Sequence, residues 1–156
     1  MFISLPENFK LVQAIAPVSS TGATTGDYVS LKNAKKAWVV VQATGGDEVY
    51  ATMYQATSTT GAGAAATTSI AYEIWSATST TSDTLTKRTS SYRYATTTDA
   101  TNQVIVFGID PSQLTDTYDC IQVRFGASTG STPTVAAMYY LQTAYPADQP
   151  PTAIAD

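Results

Sequence analysis

Residues 9–18, FKLVQAIAPV, alternate roughly between apolar and polar positions, the two-residue period of a strand with one buried face, and Pro17 ends that strand or marks it as an edge. YVSLKN (28–33) alternates cleanly on Tyr28, Val29 and Leu31. KAWVVVQAT (36–44) is β-branched and nearly continuous in apolar character, which predicts a central strand buried on both faces. Gly45, Gly46 and Asp47 then supply a tight turn, and EVYATMYQAT (48–57) returns with Val49, Ala51 and Met53 on one side and Tyr50, Thr52 and Tyr54 on the other. The pair predicts a hairpin.

The pattern resumes after STTGAGAAATT (58–68), a low-complexity stretch without charge that reads as a loop, mobile or ordered by a partner. SIAYEIWSAT (69–78) is a further strand, and TLTKRTSSYRYAT (84–96) is an exposed edge because Lys87, Arg88 and Arg93 load it with charge. QVIVFGI (103–109) predicts a second buried strand. Asp110 before Pro111 predicts a capped helical turn. YDCIQVRFGAS (118–128) and TVAAMYYLQTAY (134–145) complete the set. Eight or so strands between turn signals, with no amphipathic helix and no fixed repeat, predict an all-β fold: an antiparallel β-sandwich or a jelly-roll-like barrel over residues 9–145. Residues 1–8 are expected to form an N-terminal arm and the proline-rich residues 146–156 an extended C-terminal tail.

Composition narrows what such a domain does. A chain of 156 residues builds one core, and with 13% charged residues its solubility rests on neutral polar side chains. That surface suits a protein packed against other proteins, as well as a stable extracellular β domain. A formal net charge of -4 gives no pull toward nucleic-acid phosphates or anionic membrane. The single cysteine, Cys120, excludes an internal disulfide and is expected to be a buried thiol behaving as a small hydrophobe. MFISLPENFK lacks the basic and long apolar regions of a secretory leader, and no run approaches the length that crosses a bilayer. The chain is therefore expected to be made in the cytoplasm and to stay there or leave by assembly into a particle.

Catalytic chemistry has little to work with. There is no histidine, so no Ser-His-Asp or Cys-His arrangement is possible. Carboxylate pairs remain as glycosidase candidates among Asp47, Glu48, Glu73, Asp110, Asp116 and Asp119, but turns and caps account for most of them. Only Glu73, in AYEIW, sits inside a strand, and alternation turns it away from Tyr72 and Ile74 toward solvent. GAGAAA (61–66) has neither the lysine nor the strand-to-helix context of a phosphate loop. No metal or other cofactor is implied. Ten tyrosines and two tryptophans on a β scaffold can form a sugar platform or a protein interface. Tyr50 and Tyr54 share a face, and Tyr139 and Tyr140 point to opposite sides of their strand.

GDYVSLKNAKKAWVVVQATGG (26–46), Tyr54-Gln55-Ala56-Thr57 before the Gly/Ala/Thr loop, Ile74-Trp75, and AMYYLQTAYPADQPPTAIAD (137–156) together resemble the small head-gene structural proteins of tailed bacteriophages and their prophages. The nearest class is the capsid decoration, or cement, protein. That resemblance implies a β-rich, non-enzymatic module, commonly a homotrimer, sitting on the virion surface where subunits of the major capsid protein meet. A clamp of this kind needs segments that lie across a neighbour. Phe2, Ile3, Leu5 and Phe9, with Pro6 fixing an extended path, are candidates, and so are Tyr145, Pro150 and Pro151 in the tail; the N-terminal arm instead adds an edge strand to its own sheet on the alternative reading. Lys35 and Lys36, with Lys32, form a solvated bend or meet an acidic capsid surface. The alternative function is a carbohydrate-binding or host-adhesion module of a phage fibre.

Overall fold

The computed structural model describes residues 5–78, 84–99, 101–128 and 130–144. One helical turn, α1 (Leu5–Asn8), leads into twelve strands: β1 (Phe9–Ser19), β2 (Thr24–Thr25), β3 (Val29–Ser30), β4 (Ala34–Thr44), β5 (Tyr50–Ala56), β6 (Ala65–Ala66), β7 (Tyr72–Ala77), β8 (Thr86–Ser91), β9 (Arg93–Ala95), β10 (Gln103–Ile109), β11 (Cys120–Phe125) and β12 (Thr134–Thr143). Eight of them are six residues or longer, matching the expected count. They form two antiparallel sheets. The first runs β1-β12-β4-β10-β7-β8, and the second β2-β11-β5-β6 with β3 also on β11 and β9 on β5. Of the two architectures expected, the fold is the sandwich.

The core lies between the sheets and is built by alternation. The first sheet sends Val39, Val41, Ile105, Phe107, Tyr139 and Leu141 inward, and the second sends Met53, Ile121, Val123 and Phe125, all of them fully buried. Pro17 lies in β1, an edge strand, at a register shift where its missing N–H costs no ladder bond. The other edge is β8, with Lys87 and Arg88, as the charge predicted. Asp110 caps a 3-10 turn at Pro111–Gln113, accepting from the Ser112 N–H while Gln113 reaches back to the Asp110 N–H.

Four expectations are corrected. Gly45 and Gly46 do not close a hairpin. Both edges of β4 are already occupied, by β12 and β10, so the following strand has no place beside it and crosses to the second sheet. The positive φ angles of the two glycines turn the chain out of one sheet, and the loop is fixed by other loops: Asp47 N–H donates to Ser131 O, Asp99 N–H to Gly46 O, and Val49 and Thr96 bond each other reciprocally. Second, β4 is central but buried on one face only. Ala37, Val39, Val41 and Ala43 are buried, while Trp38 and Val40 are half-exposed on the outer face. Third, Pro6 does not hold an extended path; it lies in the helical turn α1, where its fixed φ is compatible and its missing N–H is not needed. The expected loose loop at 58–68 is also folded down. Thr57 bonds Ala62, Ala65 and Ala66 pair with β5, and Gly61, at φ +80°, sits against the Tyr28 ring.

A tyrosine ties the sheets together. β2 and β3 both pair with β11, and between them Gly26 N–H still donates to Val123 O, but the stretch Gly26 to Tyr28 returns no carbonyl to the Val123 N–H. The Tyr139 hydroxyl, reaching across from β12, takes that place: it accepts from Val123 N–H at 2.9 Å and donates to Asp27 O at 3.0 Å. Burial pushes its pKa well above the ordinary tyrosine value.

Candidate interaction surface

The outer face of the first sheet is the most unusual surface of the molecule. Residues directly opposite one another on neighbouring strands share a face, so the register can be followed across the sheet. One row runs Leu11, Tyr140, Trp38, Gly108, Glu73; the next runs Gln13, Met138, Val40, Val106, Trp75, Lys87. Apolar side chains thus cover the middle four strands on the side away from the core. Leu5, Leu11 and Met138 are 45%, 41% and 37% exposed, and Trp38, Val40, Val106 and Tyr140 are half-buried. Single exposed hydrophobes are ordinary, but a contiguous patch on a small domain marks an interface.

α1 and the start of β1 extend this patch. Leu5, Phe9, Trp38, Val40, Val106 and Tyr140 line a shallow, wholly apolar depression of about 280 Å³. The Phe9 and Trp38 rings are tilted with centroids 5.8 Å apart, a favourable arrangement for two aromatics. A second depression, of about 360 Å³, lies further along β12 and β4, between Pro17, Gln42, Val104 and Ala136.

A charged border flanks the patch. Glu73 receives Lys87 at 2.9 Å and stands 3.9 Å from Lys36. The Lys87 hydrogen bond, with a smaller contribution from the Lys36 charge, holds the Glu73 carboxyl below its usual range. Lys36 and Lys87 also lie 5.4 Å over the Trp38 and Trp75 rings. Glu73 is thus a half-exposed, doubly paired anion, the opposite of a carboxyl tuned upward for acid catalysis. Among the described residues no three His, Cys, Asp or Glu side chains assemble into a metal-binding group, and no helix is long and apolar enough to cross a membrane.

Of the residues singled out in the sequence, Leu5 and Phe9 come together with Lys36 on this face, while Lys35 points to solvent. Pro6 is exposed in α1. Phe2, Ile3, Tyr145, Pro150 and Pro151 lie outside the described residues. Lys32 is bound to Asp119 at 3.0 Å. Burial works to raise Asp119, but hydrogen bonds from Cys120 and Lys32 outweigh it and keep the carboxyl low. Cys120 is buried, as its alternating neighbours predicted, and burial followed by the Asp119 contact pushes its thiol up to about 12.

Sequence reasoning placed Trp38 and Val40 in the core, gave Tyr140 only as facing away from Tyr139, and passed over Val106 and Met138. A signal was present. In β4 the outward set Lys36, Trp38, Val40, Gln42 begins and ends on polar residues, whereas the inward set Ala37, Val39, Val41, Ala43 has none. No protein-family profile matches the chain, and no curated protein matches it in sequence.

Proposed function

We propose that this protein is a non-enzymatic virion structural protein, a capsid decoration protein that docks on the outside of a phage head between subunits of the major capsid protein. The observation that carries the reading is the apolar outer face of β1, β12, β4 and β10, continued by Leu5 and Phe9. A hydrophobic face framed by paired charges is suited to a protein partner: burial of Trp38, Val40, Val106 and Tyr140 supplies the binding energy, and the rim supplies orientation. A partner that binds only the folded, mature lattice stabilises that lattice by mass action. The resemblance to head-gene proteins implies a capsid as the partner and a homotrimer as the working unit.

The test is cosedimentation with purified capsids of the phage or prophage that encodes the chain, comparing immature and expanded particles. Wild type is expected to pellet with expanded capsids, and Met138→Glu, at an exposed position of the same face, to remain in the supernatant with a thermal midpoint close to that of wild type. Equal pelleting of that variant, or no pelleting of the wild type, overturns the proposal. Light scattering on the free protein tests the trimer. The alternative of a sugar-binding module draws on the outward tyrosines of the second sheet, and binding on a glycan array that is lost with Tyr50→Ala would favour it.

A further inference from the structure

The second sheet carries a different surface, independent of the capsid reading. Thr52 on β5 is directly opposite Arg93 on β9 and Arg124 on β11, so the three side chains share the outer face. Two strand spacings separate the arginine positions, roughly 10 Å.

Both guanidinium groups are held from below. Arg124 lies 4.0 Å from the centroid of Tyr54 and donates through Nη2 to the Tyr28 hydroxyl at 2.9 Å. Its Nε donates to Gln122 Oε1, and the Gln122 amide is itself anchored on Gly26 O. Arg93 lies 4.6 Å from the Tyr50 ring centroid and 5.4 Å from that of Tyr92. Among the described residues neither guanidinium has a carboxylate partner, whereas Lys32, Lys36 and Lys87 are all paired with Asp119 or Glu73. Lys35 and Arg88 also have no carboxylate partner among the described residues, but Arg93 and Arg124 are the pair that one register row places on the same face, each against a tyrosine ring, in a chain of net charge -4.

We propose that Arg93 and Arg124 form a binding platform for two carboxylates of an acidic protein segment. Arg124 uses two of its five N–H donors internally, so three remain for a ligand; a planar guanidinium presents these in the geometry that a carboxylate accepts in pairs. Stacking on tyrosine removes the rotamer freedom that an arginine ordinarily loses on binding. The chemistry favours a peptide over an acidic sugar. Sugars bind aromatic residues through their ring faces, and here Tyr50 and Tyr54 each present a face to a guanidinium, while Tyr54 also packs on the small cluster of Tyr28, Ala56 and Cys120.

Hexaglutamate, titrated at low salt into the full-length protein labelled with nitrogen-15, tests this directly through the Arg Nε–Hε resonances. Both Arg93 and Arg124 signals are expected to shift and saturate together, and Arg93→Gln/Arg124→Gln to weaken binding roughly tenfold. Lys87→Gln, on the other sheet, is expected to leave it unchanged. Unmoved arginine signals in the wild type overturn the proposal without reference to any variant. Equal weakening by Lys87→Gln does so as well, since it would reveal diffuse charge attraction, and tighter binding of hyaluronate than of hexaglutamate would replace the peptide by a sugar.

Discussion

Tyr139→Phe removes one oxygen atom from the centre of the sandwich and leaves the ring in place. That oxygen is the acceptor for the Val123 N–H, at 2.9 Å, in a part of β11 where no neighbouring strand supplies a carbonyl. Val123 is fully buried, so the N–H cannot turn to water. An orphaned buried donor costs about 1–3 kcal/mol. The other partner, the carbonyl of Asp27, belongs to an exposed residue and recovers a water at little cost. The total is therefore about 2 kcal/mol, which for a chain of this size lowers the thermal midpoint by roughly 4–8 °C. Tyr140→Phe, one residue along and facing outward, is the control and stays within about 0.5 kcal/mol. A Cβ at Gly26 would lie 3.2 Å from the same hydroxyl, so Gly26→Ala is also expected to destabilise, and the double variant to lose less than the sum. Calorimetric melts of wild type and the four variants decide the matter. A Tyr139→Phe midpoint within about 1 °C of wild type, or a Tyr140→Phe loss of equal size, would show that the hydroxyl does not complete the β11 ladder.

Two further outcomes are expected. Gly45 and Gly46 both have positive φ, but a Cβ at Gly45 meets open space while one at Gly46 overlaps the Thr132–Pro133 peptide; Gly46→Ala should cost about 3 kcal/mol or more in denaturant melts and Gly45→Ala about 1 kcal/mol. Similar midpoints for the two would contradict the packing of that crossover. Stability should also fall in alkali: burial raises Cys120 from 9.0 and Tyr72 from 10.0, each to about 12, and raises Tyr139 too, so the folded state holds these protons more tightly than the unfolded chain. The stabilisation is complete below about pH 9 and is lost as pH climbs toward 12. Urea midpoints that stay level from pH 8 to beyond pH 11 would refute this.

The sandwich was legible in the sequence because its signals are local. Alternation, the Gly/Pro/Asp punctuation and the charged edge at Lys87 and Arg88 each depend on a few consecutive residues. What failed depended on neighbours distant in the chain. Gly45-Gly46 has the composition of a hairpin turn, and only the occupation of both β4 edges by β10 and β12 sends the next strand to the other sheet. Trp38 and Val40 look like core because β-branched and aromatic residues fill central strands on either face; whether a second layer covers them is a tertiary fact. The Arg93–Thr52–Arg124 row joins three strands far apart in sequence, and no spacing rule brings it together. Leu5 and Phe9, by contrast, stand out in the sequence as apolar residues ahead of the first strand, and they line the outer face of the first sheet beside Trp38 and Tyr140.

The position of β12 ties maturation of this protein to its synthesis. It is inserted between β1 and β4, and it contributes Met138 and Tyr140 to the outer face of the first sheet. A ribosome-bound chain that has not yet released residue 143 has an open slot where this strand belongs, with two apolar neighbours exposed on either side of it. Such an intermediate lacks Met138 and Tyr140 on the outer face of the first sheet. The same slot is the right width for a strand from another copy, which makes crowded translation on one messenger the circumstance in which these chains are most exposed to mispairing.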